Sequence, residues 1–323
     1  MASRQRRAVE AIGVDLGGTK MSVGVVDDER NVAYRSTAPS IGLGQEDLIA
    51  TLERELRAAR EARPDVAAIG LGIPCTIDRE RGVAVMAVHV ELAGVPIRDL
   101  IRERLGLPVE LDNDANAAII AEHRFGAARG VENAVMLTIG TGIGGGLVIG
   151  GEVYRGSSGA GAELGHVVID EDGPPCQGNC PNRGCVEVFA SGTAIARHGL
   201  AAAEKAPDST LGRALAQGAT LDGREVTDAA LDGDPVAIGV LEEAGTRLGV
   251  ALASLANIFD PDVIVIGGGV IRAGKLLLEP ARAELAARAL VPMNRTPVVA
   301  AELGPDAGMI GAATMALPDR EAV

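Results

Sequence analysis

The chain has 323 residues and a net charge of -14, which repels phosphate backbones and argues against nucleic acid as a partner. Aromatic residues make up 2% of it and Trp is absent, so a core must be built from Ala, Val, Leu and Ile, with length enough for two domains. No apolar run approaches the roughly 18 residues that span a bilayer, and the N-terminus lacks the apolar middle of a signal peptide. A soluble, cytoplasmic protein with no membrane partner is expected, whose cysteines favour metal over disulfide in that reducing compartment.

In chain order, 9–16 is an apolar run ending in Asp15, followed by Gly17, Gly18, Thr19 and Lys20, and 21–26 is apolar again. This predicts a strand, a glycine turn and a strand. Two glycines let backbone N–H groups face an anion, Thr19 adds a hydroxyl, and Asp15 can hold magnesium through water; an ordinary hairpin is the alternative. A strand over 32–37, a helix over 46–63 stopped by Pro64, a buried strand over 66–73 and a short helix over 96–105 with Pro in its first turn follow. After a short strand at 109–111 come Asp112, Asn113, Asp114, Ala115 and Asn116, then an Ala-rich helix to about 125. Asn and Asp are ordinary helix caps, but four polar residues in five positions exceed one cap and, at the end of a strand, would project into a ligand crevice.

A strand at 133–139 leads into Gly140, Thr141, Gly142 and then Ile143, Gly144, Gly145 and Gly146, with a further strand expected from 147. Gly140, Gly142 and Gly145 satisfy G-x-G-x-x-G, but that fingerprint needs a helix next. The better reading is a second phosphate hairpin like that at 15–20, and the repeat suggests two related domains facing one cleft.

The densest chemistry lies at 163–187. One of four histidines and three of four cysteines fall there, as His166, Cys176, Cys180 and Cys185, with three residues between the first two cysteines and four between the last two. This is a Cys3His zinc pattern in composition and nearly so in spacing. The intervening Pro174, Pro175, Gly178, Pro181 and Gly184 leave little regular structure, so a structural ion would supply order and fix Glu163 and Glu187 on either side. Buried small hydrophobes or a disulfide are the alternatives. Helices at 191–204 and 235–259, a strand at 263–266 ending in Gly267, Gly268 and Gly269, a last strand at 298–301 and a closing helix from 308 complete the chain. Gly269, Gly274 and Lys275 have P-loop spacing, but Leu276 stands where Ser or Thr would bind magnesium, so a P-loop is rejected.

As a set, Asp15-Leu-Gly-Gly-Thr-Lys20, Leu111-Asp-Asn-Asp-Ala-Asn116, Gly140-Thr-Gly-Ile-Gly-Gly-Gly146, Gly161-Ala-Glu-Leu-Gly-His166 and Gly184-Cys-Val-Glu187 resemble the ROK family (repressors, open reading frames, kinases), nearest its bacterial glucokinases. The resemblance runs on through Gly267-Gly-Gly269 to Ala307-Gly-Met-Ile-Gly-Ala-Ala313. It implies an α/β fold of two actin-like, ribonuclease-H-like domains flanking a cleft. The first would be 1–123, completed by a C-terminal helix at 308–323, and the second 124–307 with a zinc loop at 166–185. The implied reaction is ATP-dependent phosphorylation of glucose with Asp114 as general base.

By the same resemblance Asn113, Asp114, Glu163, His166 and Glu187 would bind sugar. Asp15, Gly17, Gly18, Thr19, Lys20, Thr138, Gly140, Thr141 and Gly142 would serve the nucleotide phosphates, and Gly267, Gly268 and Gly269 would pack near the adenosine. Structural Zn2+, Mg2+ accompanying ATP, and a homodimer or homotetramer are expected. His89 stands where such glucokinases carry Asn, which bears on sugar choice, Cys75 stands where Gly is usual, and Cys-Gln-Gly-Asn-Cys is a longer variant of the zinc motif. Another hexose (mannose, fructose, an N-acetylated amino sugar) or polyphosphate as donor are the alternatives. A repressor would need a DNA-binding domain ahead of the first strand, where about ten residues stand, and a catalytically silent sugar sensor would have little use for Asp15, Asp114 and both hairpins.

Overall fold

The computed structural model describes residues 8–87 and 90–317, so His89 lies outside the described residues. The chain forms two units. The first takes residues up to Arg129, then Val153–Gly161, and those from Pro305 onward; the second takes Gly130–Glu152 and Ala162–Gly304.

In the first unit β1 (Glu10–Leu16), β2 (Lys20–Asp27) and β3 (Val32–Pro39) form an antiparallel meander. Helix α1 (Gln45–Ala62) leads to β4 (Ala68–Ile73), which pairs parallel with β1. A two-stranded ribbon, β5 (Cys75–Asp78) and β6 (Val83–Ala87), was not foreseen; its strands are short and a register shift interrupts their alternation. After α2 (Ile97–Leu105), β7 (Val109–Asn113) completes the sheet order β3-β2-β1-β4-β7. Pro96 precedes α2 as its N-cap instead of lying in its first turn. Strand β7 runs two residues beyond the expected end, so Asp112 and Asn113 belong to the sheet and α3 (Asp114–Phe125) starts at the acid itself.

The second unit repeats the layout as β10-β9-β8-β11-β12. Strand β8 (Ala134–Ile139) pairs antiparallel with β9 (Ile143–Ile149), whose outer neighbour is β10 (Glu152–Val153). The glycine turn is therefore shorter than expected, because Gly144, Gly145 and Gly146 lie inside β9. Gly145 serves close packing, since a Cβ there would overlap the Ala162 carbonyl; from the opposite side, a Cβ on Gly165 would overlap the Ile143 carbonyl of β9. A strand, not a helix, follows the turn, as a phosphate hairpin requires and a dinucleotide fingerprint forbids. Next come α4 (Glu187–Ala190), α5 (Gly192–Lys205), α6 (Thr210–Ala216), α7 (Gly223–Leu231) and α8 (Pro235–Phe259). Strand β11 (Val263–Gly267), α9 (Lys275–Arg288) and β12 (Val298–Ala300) finish this unit, with β11 parallel to both β8 and β12.

The last helix, α10 (Ala307–Ala316), belongs to the first unit and lies on β1, β4 and α3. Its Ala/Gly sequence permits contact at backbone distance. A Cβ on Gly13 would overlap the Met309 carbonyl, one on Gly70 the Ala312 carbonyl, and one on Gly311 the Ala117 carbonyl. Each unit has its own aliphatic core, one around Ile12, Leu71 and Ile101 and the other around Leu137, Leu252 and Ile264. Both are free of Trp, as composition demanded.

Candidate active site

Within the first unit, Asp15 ends β1's core run and the next residues form a closed turn, in which the Gly17 N–H donates to the Lys20 carbonyl at 2.9 Å. Ser40 braces that turn, its hydroxyl donating to the Gly17 carbonyl at 2.6 Å and its N–H to the Thr19 carbonyl at 3.1 Å. Nothing near residue 40 in the sequence signals this. Thr19 and Lys20 are exposed.

Asp114 is the first residue of α3, where the helix dipole favours a carboxylate. Asn113 caps the helix, accepting N–H groups from Ala115 at 2.8 Å and Asn116 at 3.4 Å. Asp15 and Asp114 are electrostatic neighbours: burial first, then the charge of Asp114, raises the Asp15 pKa to about 7 against the opposing pull of Lys20. Burial and the same charge push the Cys75 thiol up to about 12, so this departure from the family pattern is an inert, buried group. Of the four polar residues at 112–116, two face inward: Asp112 and Asn116 are buried, with the Asn116 amide donating to Asp112 at 2.9 Å.

In the second unit, the Gly140 N–H donates to the Gly142 carbonyl at 2.9 Å, closing the other glycine turn. The start of α5 holds it from one side, through Gly192 N–H to the Gly140 carbonyl at 2.7 Å and the Thr193 hydroxyl to the Thr141 carbonyl at 2.8 Å. A buried carboxylate holds it from the other, since the Ile143 N–H donates to Glu187 Oε2 at 2.7 Å. Beside the turn opens a cavity of about 410 Å³ whose walls include Gly140 and Thr141, Gly192 and Thr193, Gly223 and Arg224, and Gly269 and Arg272. This volume lies in the usual range of small-molecule sites, about 300–1,000 Å³. Thr193, Arg224 and Arg272 were missed in the sequence because α5, α7 and the turn after β11 meet only in the fold. Gly267 is buried at the end of β11 and Gly268, with φ of 84°, turns the chain just before the cavity-lining Gly269. Thr138 is half-buried in β8. A larger cavity, about 570 Å³ beside α1 and α2, contains none of the candidate residues.

His166, Cys176, Cys180 and Cys185 converge in this unit, their ligand atoms all within 4.8 Å of one another. Cys176 Sγ lies 3.4 Å from His166 Nδ1 and Cys180 Sγ 4.0 Å from Cys185 Sγ. A tetrahedral zinc with Zn–S near 2.3 Å needs ligand separations of about 3.8 Å, so the four atoms fit such an ion. All four cysteines are free thiols, which removes the disulfide alternative. Burial pushes the Cys176 and Cys185 thiols up, and a bound divalent cation acts in the opposite sense by holding thiolates. The loop is tied to the cavity wall, because the Gln177 amide donates at 3.1 Å to Ser191, the residue that caps α5.

Glu163 and Glu187 flank the cluster. Glu163 reaches the surface, yet the protein packed around its carboxylate raises its pKa, with His166 opposing the shift and Glu187 adding to it. The structure thus gathers Asp15 with Asp114 in one unit and Glu163, His166, Glu187 and the three cysteines in the other.

The ROK family model matches residues 11–318. The chain is 37% identical over 315 residues to a glucokinase of Streptomyces coelicolor, covering 94% of this chain and 96% of that one. It is 37% identical over 310 residues to a glucokinase of Thermotoga maritima, covering 95% and 97%. A crystal structure of a ROK family glucokinase from Streptomyces griseus, in complex with glucose and AMPPNP, superposes with a TM-score of 0.86 at 36% identity, covering 95% of this chain and 99% of that one. With its actin-like α/β fold, its paired glycine turns and a family match along nearly its whole length, the chain belongs to the ROK family.

Proposed function

We propose that this protein is a glucokinase, transferring the γ-phosphoryl group of ATP to glucose with Asp114 as general base. The observation that carries the reading is the pairing of Asp114 with Asp15 beside the Gly17–Lys20 turn: one carboxylate to take a proton, the other to serve the phosphate side. In the step proposed, the 6-hydroxyl oxygen of glucose bonds to the γ-phosphorus, its proton passes to Asp114, and the bond from the γ-phosphorus to the bridging oxygen of ADP breaks. Asp15 would hold, through water, a magnesium ion bound with the nucleotide, which would supply neutralisation of phosphate charge. We assign Asn113, Glu163, His166 and Glu187 to the sugar hydroxyls, because carboxylate, amide and imidazole acceptors pair with hydroxyl donors. The two glycine turns would receive the phosphates and the 410 Å³ cavity the adenosine. The Cys3His cluster is assigned to one structural zinc that keeps Glu187 and His166 in place.

His89, where related glucokinases have Asn, favours a second reading in which another hexose is preferred. An assay of sugar-phosphate formation over glucose, mannose, fructose and N-acetylated amino sugars, with ATP and polyphosphate supplied as separate donors, tests both. Turnover that is highest with glucose and needs ATP is expected. A higher kcat/KM for another sugar, or for polyphosphate, overturns the assignment.

A further inference from the structure

We infer that Arg155 is a positioning residue for phosphoryl transfer: it anchors the buried carboxylate of Asp112, and through it the turn that presents Asp114. The inference rests on Asp114 being the base.

Residues 153–161 group with the first unit although the chain on both sides of them belongs to the second. Their hold on that unit is specific, with Arg155 Nε donating to Asp112 Oδ2 at 2.6 Å. Within the segment, Arg155 is braced by Nη1 donating to the Val153 carbonyl at 3.1 Å and by the Gly161 N–H donating to the Arg155 carbonyl at 2.9 Å. Gly159 sits against the Ile77 carbonyl of β5, where a Cβ would come within 2.7 Å.

Asp112 is 1% exposed and its two oxygens face different partners. Oδ2 takes the Arg155 guanidinium, while Oδ1 accepts the Asn113 N–H at 2.8 Å and the Asn116 amide at 2.9 Å. Oδ1 therefore clamps both ends of the four-residue step from β7 into α3, the step that contains Asp114. A buried carboxylate that loses its counter-charge takes up a proton or turns toward solvent. Protonation on Oδ2 leaves Oδ1 a weaker, uncharged acceptor and rotation takes it from its donors, so either response loosens the hold on the Asn113 backbone and lets the carboxylate after it shift. In-line transfer tolerates little such movement, since a misplacement of about 1 Å can cost about 100-fold in rate.

Nothing about Arg155 in the sequence announces this. It stands 43 residues from Asp112 and between two glycine-rich stretches.

The test compares Arg155→Met, Arg155→Lys, Asp112→Asn and the Asp112→Asn/Arg155→Met double variant in the full chain. Each is measured for kcat, for glucose Kd by calorimetry, and for hydrogen exchange at 109–116 and 153–161. Arg155→Met is expected to lower kcat about 10- to 100-fold, in the range set by misplacement of a reacting group, with glucose Kd changed less than about 3-fold. Exchange should rise in both segments. Arg155→Lys, which keeps the charge, should recover part of kcat, and the double variant should be no slower than Arg155→Met alone because both changes act through one contact. An Arg155→Met enzyme with unchanged kcat overturns the inference, as do losses in the double variant that multiply, or a kcat loss matched by glucose Kd. Asp114→Asn measured in parallel separates the two readings: if it retains full kcat the base assignment fails, whereas a silent Arg155→Met beside a crippled Asp114→Asn removes Arg155 alone.

Discussion

Glu187 Oε2 accepts the main-chain N–H of Ile143 at 2.7 Å, which makes a residue assigned to the sugar also a support of the glycine turn assigned to phosphate. Glu187 is 9% exposed, and its carboxylate lies so close to Gly142 that a Cβ there would overlap it. Glu187→Ala should therefore weaken binding of a non-hydrolysable ATP analogue even without sugar, by about 10-fold or more, since a hydrogen bond to a charged group contributes about 1.5–3 kcal/mol. Calorimetry on the sugar-free enzyme measures this. Unchanged nucleotide affinity would confine Glu187 to the sugar.

Asp114→Asn should lower kcat by about 10²- to 10⁴-fold, the usual contribution of a general base. Asn keeps the shape and can still hydrogen-bond a sugar hydroxyl, so glucose Kd should move far less. Glu103→Gln, exposed on α2, is a suitable control. Asp222 is not, because it caps α7 in a capping box and lines the cavity. A large loss of glucose affinity with kcat preserved would turn Asp114 into a binding residue and leave Glu163 as the next acid to test.

Asp15 links activity to pH-dependent stability. Its pKa rises from 3.8 to about 7 on folding, so between those values the folded state binds more protons than the unfolded one. Stability consequently falls as pH rises through this window, and the penalty is fully present above pH 7. In magnesium-free buffer, Asp15→Asn should have the Tm of the parent near pH 4 and a higher Tm at pH 8, while losing activity. An equal Tm difference at both pH values would show that Asp15 carries no such penalty.

The metal assignment is tested by elemental analysis. About one zinc per chain is expected of a closed four-ligand site. Cys180→Ser should lose most of it, together with a drop in Tm, because a structural ion contributes its binding free energy to folding. Purified, fully active protein without zinc would refute the assignment.

Backbone-distance packing predicts opposite outcomes for two helical glycines. A Cβ on Gly311 of α10 would overlap the Ala117 carbonyl, so Gly311→Ala should destabilise by about 1–3 kcal/mol or more, as overpacking does. Gly239 of α8 has nothing within 4 Å of that position, so Gly239→Ala should stabilise by about 0.5–1 kcal/mol. Denaturant melts of the two variants decide it, and a shift of the same sign in both would refute the packing argument.

Much of the fold was legible because its signals are local. Helix α8 has the expected bounds: Asp234 caps it, Pro235 opens it and Asp260 ends it in the left-handed region. The apolar runs of β1, β4, β8 and β11 lie in sheets covered on both faces and read directly as strands. What escaped depends on distant neighbours. The glycine run of β9 looks like a turn because the reason for Gly145, a loop pressed against the strand at Ala162 and Leu164, lies about twenty residues on. Helix α9 was hidden by Gly274 before it and Pro280 inside it. At the site, residue types were readable from motifs, but the tie between Glu187 and Ile143 spans 44 residues and leaves no mark on either segment.

The glycine and alanine seam under α10 also bears on the order in which the protein is made. Strands β1 and β4 and helix α3 leave the ribosome early, yet the helix that covers them emerges only after the whole of the second unit has been synthesised. Until then, the face around Gly13 and Gly70 lacks its cover, and no earlier segment with bulkier side chains can approach the backbone there as closely. The second unit, continuous apart from 153–161, can reach its own core first. The first unit thus cannot be completed until almost the whole chain has been made, and a substitution in α10 bears on the packing of residues synthesised long before it.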